Sequence, residues 1–341
     1  MPATRHRERT SSTLASSSNT LFSDVRTASG FCIMDGVRYM PGTIRILDGG
    51  MSRELLRLGA ELRQPEWSAL ALMETPDTVR RVHAEFIEAG AEVITTNSYA
   101  LVPFHIGEQR FREQGPALID LAGRLARQAA ENSSGRKVLV AGSLPPIFGS
   151  YEPQRFDPSR AQEYLSVLVA GLAPHVDVWL GETLSLIAEG EAVRQAVAAT
   201  GKPFWVSFTL ADEMGAEDDE PRLRSGESVA DAAAWAAGSG AGALLFNCSR
   251  PEVMGKAVRV ARHLLDERRS DLEIGVYANA FEEQEGDGAA NETLHGTRED
   301  LTATTYSRFA CEWADAGATL IGGCCGIGAR HIHDLAAALR R

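Results

Sequence analysis

No uninterrupted apolar stretch in this chain approaches the ~20 residues that a bilayer-spanning helix needs, so no membrane partner is expected. Positive charge is also short. The 34 Lys and Arg stand against 46 Asp and Glu, for a formal net charge of -12. Affinity for phosphate backbones comes chiefly from clustered Lys and Arg, so a nucleic-acid partner is excluded, whereas an acidic surface favours a cationic substrate. Cysteine is scarce as well: five residues, an odd number with no framework of spacings, argue against a disulfide-stapled secreted domain and fit a reducing, cytoplasmic setting. The pair His331-Ile332-His333 falls in an expected helix past the last strand, which argues against a metal-dependent hydrolase built on His and carboxylate ligands.

With 341 residues the chain can bury a large core, as one α/β barrel or as two smaller domains. Residues 1–42 stand apart as a leader. Its first 30 residues carry Arg5, Arg7, Arg9 and Arg26 against only Glu8 and Asp24, with the run Ser16-Ser17-Ser18 and no helical or strand period. Disorder is expected there. An Arg- and Ser-rich, acid-poor start has the composition of an organellar transit segment, and a mis-assigned start with Met34 or Met40 as the initiator accounts for it equally.

From Ile44 onward, apolar runs alternate with helical stretches: Ile44 to Leu47, Val93 to Thr96, Val138 to Ala141, Val176 to Leu180, Phe204 to Phe208, Ala243 to Phe246, Ile274 to Tyr277 and Thr319 to Ile321. Strands alternating with helices pair in parallel through right-handed crossovers, and eight such units close on themselves. Residues 43–341 are therefore expected to form a single (β/α)8 TIM barrel of the α/β class. One helix is legible in detail. Thr75 suits its N-cap and Pro76 its first turn; Val79, Val82, His83, Phe86 and Ile87 share one face, and Gly90 ends it. His83, on the apolar face, is read as packing.

Each expected strand finishes in a polar or ligating residue: Asp48, Asn97, Ser143, Glu182, Thr209, Asn247 with Cys248, Asn279, and Cys324 with Cys325. Barrel active sites form at the C-terminal strand ends, so two carboxylates and three thiols are expected around one pocket. Some of these residues are expected only to cap turns. Cys248 and the pair Cys324-Cys325 suit a zinc ion that keeps a fourth position open, because structural sites usually close the tetrahedron with a fourth protein ligand. Sulfur ligands of tetrahedral zinc lie roughly 3.8 Å apart, which adjacent residues reach if Gly322, Gly323 and Gly326 let the backbone turn. A buried apolar filler and a strained, redox-active vicinal disulfide are the other roles open to these cysteines. A filler has no need of a glycine-rich turn, which favours the metal. Cys32 and Cys311 are read as structural or incidental.

Several runs go further: Leu47-Asp48-Gly49-Gly50, Val140-Ala141-Gly142-Ser143-Leu144-Pro145-Pro146, Gly181-Glu182-Thr183-Leu184, Ser207-Phe208-Thr209-Leu210, Arg222-Leu223-Arg224-Ser225-Gly226, Asn247-Cys248 and Gly322-Gly323-Cys324-Cys325-Gly326. In these, from about Ile44 to Leu339, the chain resembles the zinc-dependent homocysteine S-methyltransferases. The resemblance implies that Cys248, Cys324 and Cys325 hold zinc and carry the catalysis. It further implies that Asp48 and Glu182 recognise the amino group of homocysteine, with Gly49 and Asn247 completing the acceptor site, and that methionine is the product. The chemistry is consistent: a free alkyl thiol is mostly protonated and a poor nucleophile at neutral pH, and zinc coordination deprotonates it.

Family members that use S-methylmethionine or S-adenosylmethionine often carry Pro-Asn-Ser-Gly-Glu after the seventh strand, where this chain reads Ala278-Asn279-Ala280-Phe281-Glu282. Tyr99, Asn279 and Phe281 are the candidate donor-binding residues, the two aromatics through cation-π contact with an onium methyl. The run Glu282, Glu283, Glu285 and Asp287 is read as solvated charge. Betaine-using relatives carry an extended C-terminal segment, and cobalamin-dependent methionine synthases carry folate and corrinoid modules. A small sulfonium donor is therefore expected, with betaine or a separate corrinoid protein as alternatives. A zinc- and thiol-binding barrel without turnover is the alternative from another class, kept open by the altered segment at Ala278 to Glu282. A monomer or weak homo-oligomer is expected. Because the leader has no apolar period to bury, deleting residues 1–33 is expected to leave both turnover and the thermal midpoint unchanged, and a large loss of either would assign it to the core or the site.

Overall fold

The computed structural model describes residues 43–133, 135–212, 220–281 and 298–340. The leader, with Cys32, Met34 and Met40, and the acidic run Glu282, Glu283, Glu285 and Asp287 lie outside the described residues. Eight parallel strands make one sheet: β1 (Arg45–Ile46), β2 (Val93–Thr95), β3 (Leu139–Leu144), β4 (Val178–Leu184), β5 (Phe204–Phe208), β6 (Ala243–Asn247), β7 (Glu273–Ala278) and β8 (Leu320–Gly323). Their order is β1-β8-β7-β6-β5-β4-β3-β2, and a parallel bridge between Leu47 and Val93 joins the two ends. The sheet thereby closes into a (β/α)8 barrel. Helices Pro76–Ala89, Glu108–Glu131, Pro158–Leu172, Ile187–Val197, Val229–Ser239, Pro251–Glu267 and Ala303–Asp315 make the crossovers, and Ala329–Leu339 follows β8. Among the described residues, no helix is long and apolar enough to cross a membrane.

Every residue of β5 and β6 is buried, as a sheet covered on both faces requires. The apolar residues separate into two clusters. Leu47, Val93, Val178, Leu180, Trp205, Leu245, Tyr277 and Leu320 belong to the smaller one, and the larger packs strands against helices. The smaller cluster is the plug of side chains that fills such a barrel. In Pro76–Ala89 the five expected face residues are buried, and Gly90 ends the helix in the left-handed conformation at φ 119°. Thr75 departs from expectation. The preceding helix, Ala69–Glu74, ends on it, so its hydroxyl donates to the Ala71 carbonyl at 3.5 Å instead of capping. Among the described residues His83 has no hydrogen-bond partner, and burial lowers its pKa to about 4, so it packs as a neutral ring.

Two features of the barrel set the site. The β1–β2 seam is finished by carboxylates where the backbone ladder runs out: Glu92 Oε2 accepts from the Ile46 amide at 3.0 Å, and Asp48 Oδ2 accepts from the Thr95 amide at 2.7 Å. In addition, β4 runs past its expected end at Leu180, with a register shift between Gly181 and Leu184. Such irregularities re-aim side chains, and this one carries Glu182.

Candidate functional site

Strands β6 and β8 flank β7, so the residues that follow them meet at the C-terminal end of the barrel. Cys248 Sγ lies 3.9 Å from Cys325 Sγ, Cys324 Sγ lies 4.0 Å from Cys325 Sγ, and all three sulfurs fall within 4.8 Å of one another. These spacings are close to the roughly 3.8 Å of a tetrahedral zinc-thiolate site. The glycines act differently from one another. Gly326 takes the left-handed turn at φ 83°, but Gly323 stays in β8, where a Cβ would fall 2.1 Å from the Ile327 side chain. Glycine at 323 therefore supplies room for the Cys324 turn to fold back, not conformational freedom.

The three thiols do not share charge easily. Hydrogen bonds from Cys324 and then Cys325 hold the Cys248 thiol well below its ordinary range, and the same coupling to Cys248 holds Cys324 and Cys325 well above theirs. Ionising all three together requires a cation, and a soft, all-sulfur set suits zinc. The donor set fits a metal ion with three protein ligands.

These sulfurs form part of the wall of a cavity that opens to solvent. Asp48 and Glu182 line it too, Asp48 buried and Glu182 exposed only in part. Burial pushes the Asp48 carboxyl up to about 8; the Thr95 amide opposes the rise, and the neighbouring Glu182 adds to it. Burial likewise pushes Glu182 up to about 7, opposed by the Ser143 hydroxyl, which donates to its Oε2 at 2.5 Å. No Lys, Arg or His is among the described residues that line the cavity. Near neutrality Asp48 is mostly protonated and Glu182 partly so, and a cation entering the cavity favours the charged form of both.

The expected site residues divide. Gly49, Asn97, Tyr99 and Phe281 line the cavity with the carboxyls and thiols, whereas Asn247 and Asn279 do not. The Asn247 amide Nδ2 donates to Thr183 Oγ1 at 2.8 Å and to Cys324 Sγ at 3.9 Å, and its Oδ1 accepts from Ser207 at 2.7 Å and from the Thr183 amide at 3.2 Å. All four of its hydrogen-bonding capacities are spent on protein, so it orients Cys324 and Thr183 from behind the wall. Asn279 Oδ1 accepts from the Phe281 amide at 3.4 Å. Ser143 serves Glu182, and the Thr209 hydroxyl donates to the Leu184 carbonyl at 3.5 Å. His331 accepts from the Gly328 amide at Nδ1 and donates to the Leu301 carbonyl from Nε2, while His333 pairs with Asp334. Cys311 lies in Ala303–Asp315, outside the sulfur cluster.

Trp67, Tyr151, Thr183 and Tyr277 also line the cavity, and sequence reasoning had not singled them out. Five described non-glycine residues have positive φ, and four of them are on this wall: Trp67 at 50°, Tyr151 at 67°, Thr183 at 61° and Cys248 at 52°. Such strain persists where a site demands it, and no residue-type signal announces it. Tyr277 was within reach, as an inward position of an expected strand.

Residues 45–339 match the homocysteine S-methyltransferase family. The chain belongs to that family of methyltransferases. The homocysteine S-methyltransferase of Escherichia coli (strain K12) is 31% identical over 303 residues, a match spanning 83% of this chain and 91% of the relative. Homocysteine S-methyltransferase YbgG of Bacillus subtilis (strain 168) is 27% identical, over 86% of this chain and 93% of its own. The crystal structure of the Escherichia coli homocysteine methyltransferase MmuM, metallated form, superposes with a TM-score of 0.70 at 29% identity, covering 87% of this chain and 96% of that one.

The raised pKa of Glu182 has a consequence for stability. The folded chain keeps a proton that the unfolded chain loses, so the contribution of the neutral carboxyl is present below pH 4.5 and is lost as pH rises to about 7. Glu182→Gln keeps an oxygen for Ser143 and never ionises. In ligand-free protein it is expected to leave the thermal midpoint unchanged at pH 4.5 and to raise it at pH 8, by ~1.5 °C for each kcal/mol relieved. Equal midpoints at both pH values would show that burial does not hold this carboxyl neutral.

Proposed function

We propose that this protein transfers a methyl group from a small sulfonium donor, S-methylmethionine or S-adenosylmethionine, to the thiol of homocysteine to give methionine, with zinc held by Cys248, Cys324 and Cys325. The observation that carries this reading is the meeting of three metal-competent sulfurs and two carboxyls of raised pKa on one wall that no described cationic residue joins. The names of the Escherichia coli and Bacillus subtilis relatives and the metallated form of MmuM support it. Free thiols suit action in a reducing, cytoplasmic compartment.

When bound, zinc supplies the electrostatic stabilisation that lets a thiol ionise at neutral pH. The protein does the rest by placement. Asp48, anchored by Thr95, and Glu182, anchored by Ser143, turn carboxyl oxygens to the acceptor ammonium and release their protons as that cation removes the penalty of a buried charge. Held at its amino end beside Gly49, the acceptor points its sulfur toward the cysteines. Asn247 steadies Cys324. Trp67, Tyr99, Tyr151, Tyr277 and Phe281 line the cavity with aromatic rings, whose faces attract an onium methyl. Tyr99 and Phe281 are assigned to the donor, with Asn279 acting through the Phe281 amide. As the methyl carbon bonds to the acceptor sulfur, the donor S–CH3 bond breaks and its electron pair stays on the donor sulfur, which departs as a neutral thioether. The acceptor thiol proton goes to solvent. In-line approach at ~3–3.5 Å is the geometry that placement must deliver.

Purified protein is expected to carry about one zinc per chain, and Cys248→Ala, Cys324→Ala or Cys325→Ala to abolish both tight binding and turnover, since each removes one of three protein ligands. Cys311→Ala should spare both. Full zinc occupancy in the Cys324→Ala, Cys325→Ala double variant, by elemental analysis, would overturn the metal site. Turnover assays with S-methylmethionine, S-adenosylmethionine and betaine, with homocysteine as acceptor, decide the donor; the reading requires one of the two sulfonium compounds to be preferred. Glu182→Gln is expected to weaken homocysteine binding by ~1.5–3 kcal/mol while leaving the metal in place, and to affect a simple thiol without an amino group much less. Equal impairment of both acceptors, or loss of metal, would place Glu182 in the scaffold.

A further inference from the structure

Cys248 is the one sulfur ligand with a left-handed backbone, at φ 52°, a conformation that a residue with a Cβ keeps only where its surroundings hold it. Three contacts do so. Its amide donates to the Tyr277 carbonyl at 3.2 Å, and its carbonyl accepts from the Tyr151 hydroxyl at 2.8 Å. Two residues on, the Arg250 amide donates to Asp212 Oδ1 at 2.8 Å. The other oxygen of Asp212 pairs with Arg224, and the Arg224 guanidinium lies over the Tyr151 ring, 4.0 Å from its centroid. The Cys248 turn is thus tied at its Cys248 carbonyl to Tyr151 and at its Arg250 amide to Asp212, with Arg224 joining the two.

Tyr151 itself comes from the loop after β3 and is left-handed at φ 67°, while the adjacent Ser150 hydroxyl lies 2.5 Å from the Tyr99 hydroxyl. That loop therefore spans from the β2 side of the mouth to the β6 side. Among the described residues Arg224 Nε has no hydrogen-bond partner, while the guanidinium sets its plane against the Tyr151 ring and pairs with Asp212.

We propose that Tyr151 and Arg224 are positioning residues that clamp the Cys248 turn and thereby set where its sulfur points. This rests on the reading of the three cysteines as metal ligands. The clamp acts before substrate binds, so its signature belongs to metal binding.

The test compares full-length parent protein, Tyr151→Phe, Arg224→Lys and the double variant. Cobalt(II) is the probe, with affinity measured by chelator competition, ligand geometry by the d-d and sulfur-to-cobalt absorption bands, and folding by the thermal midpoint. Tyr151→Phe keeps the ring and removes one hydrogen bond to backbone, and is expected to weaken cobalt binding about tenfold and to shift the bands. Arg224→Lys keeps the charge without the planar fork and should act in the same direction. The double variant should be less than additive, because the two residues hold one turn. Unchanged affinity and bands in both single variants would overturn the clamp whatever happens to the midpoint, and full additivity would overturn its acting as a unit. If Tyr151→Phe does not fold, Arg224→Lys alone carries the same decision. A parent protein that binds no cobalt would overturn the metal reading and the clamp together, whereas a parent that binds it and variants that match the parent would overturn the clamp only.

Discussion

Five acidic side chains, three thiols and two carboxyls, face one cavity to which no described cationic residue contributes. Negative charge is costly there, so burial raises the pKa of Asp48 and Glu182, and interaction with Cys248 raises those of Cys324 and Cys325. Every partner of the proposed reaction supplies what is missing: a divalent metal ion, the ammonium of an amino acid and an onium methyl are all cations. In the proposed reaction, the same imbalance that costs the protein stability favours its cationic ligands, which is the usual relation between a destabilised site and its function.

Barrel closure is what brings these groups together. With β7 between β6 and β8, residues 77 apart in sequence come into sulfur contact. Asp48 belongs to both the scaffold and the site, since the carboxylate that lines the cavity also replaces a ladder carbonyl at the β1–β2 seam. Glu182 is different. Its position comes from an irregularity within β4, and its partner is a side-chain hydroxyl, so its charge can be changed without opening the seam.

The eight strands were legible because a sheet buried on both faces writes itself as apolar runs; β5 appears residue for residue, and the other runs mark their strands with shifted ends. The strand ends announced the carboxyls and thiols for the same topological reason. What was not legible depends on contacts distant in sequence. Tyr151 meets Cys248 across 97 residues, and nothing in the local pattern of its loop predicts a left-handed tyrosine. Asn247 shows the opposite limit: its place at a strand end was readable, but whether its amide faces the cavity or the protein depends on Thr183, Ser207 and Cys324, which lie on three other strands or strand ends. Thr75 stands at the N-cap as expected, but it also ends the preceding helix, and its hydroxyl turns back to Ala71 instead of capping.

The reactive groups share a pattern of support. Asp48 is held by Thr95, Glu182 by Ser143, Cys324 by Asn247 and Cys248 through Tyr151, each by a polar neighbour, with Ser143 and Asn247 standing outside the cavity lining. Such neighbours fix direction while leaving part of each group free toward the cavity, so ligand binding requires little reorganisation of the wall, which is the condition under which fixed dipoles and charges assist a reaction most. The strained backbone at Trp67, Tyr151, Thr183 and Cys248 belongs to the same arrangement. A conformation that is unfavourable in isolation persists because the barrel around it is closed and packed, and it delivers a side-chain direction that relaxed backbone at the same strand end would not give.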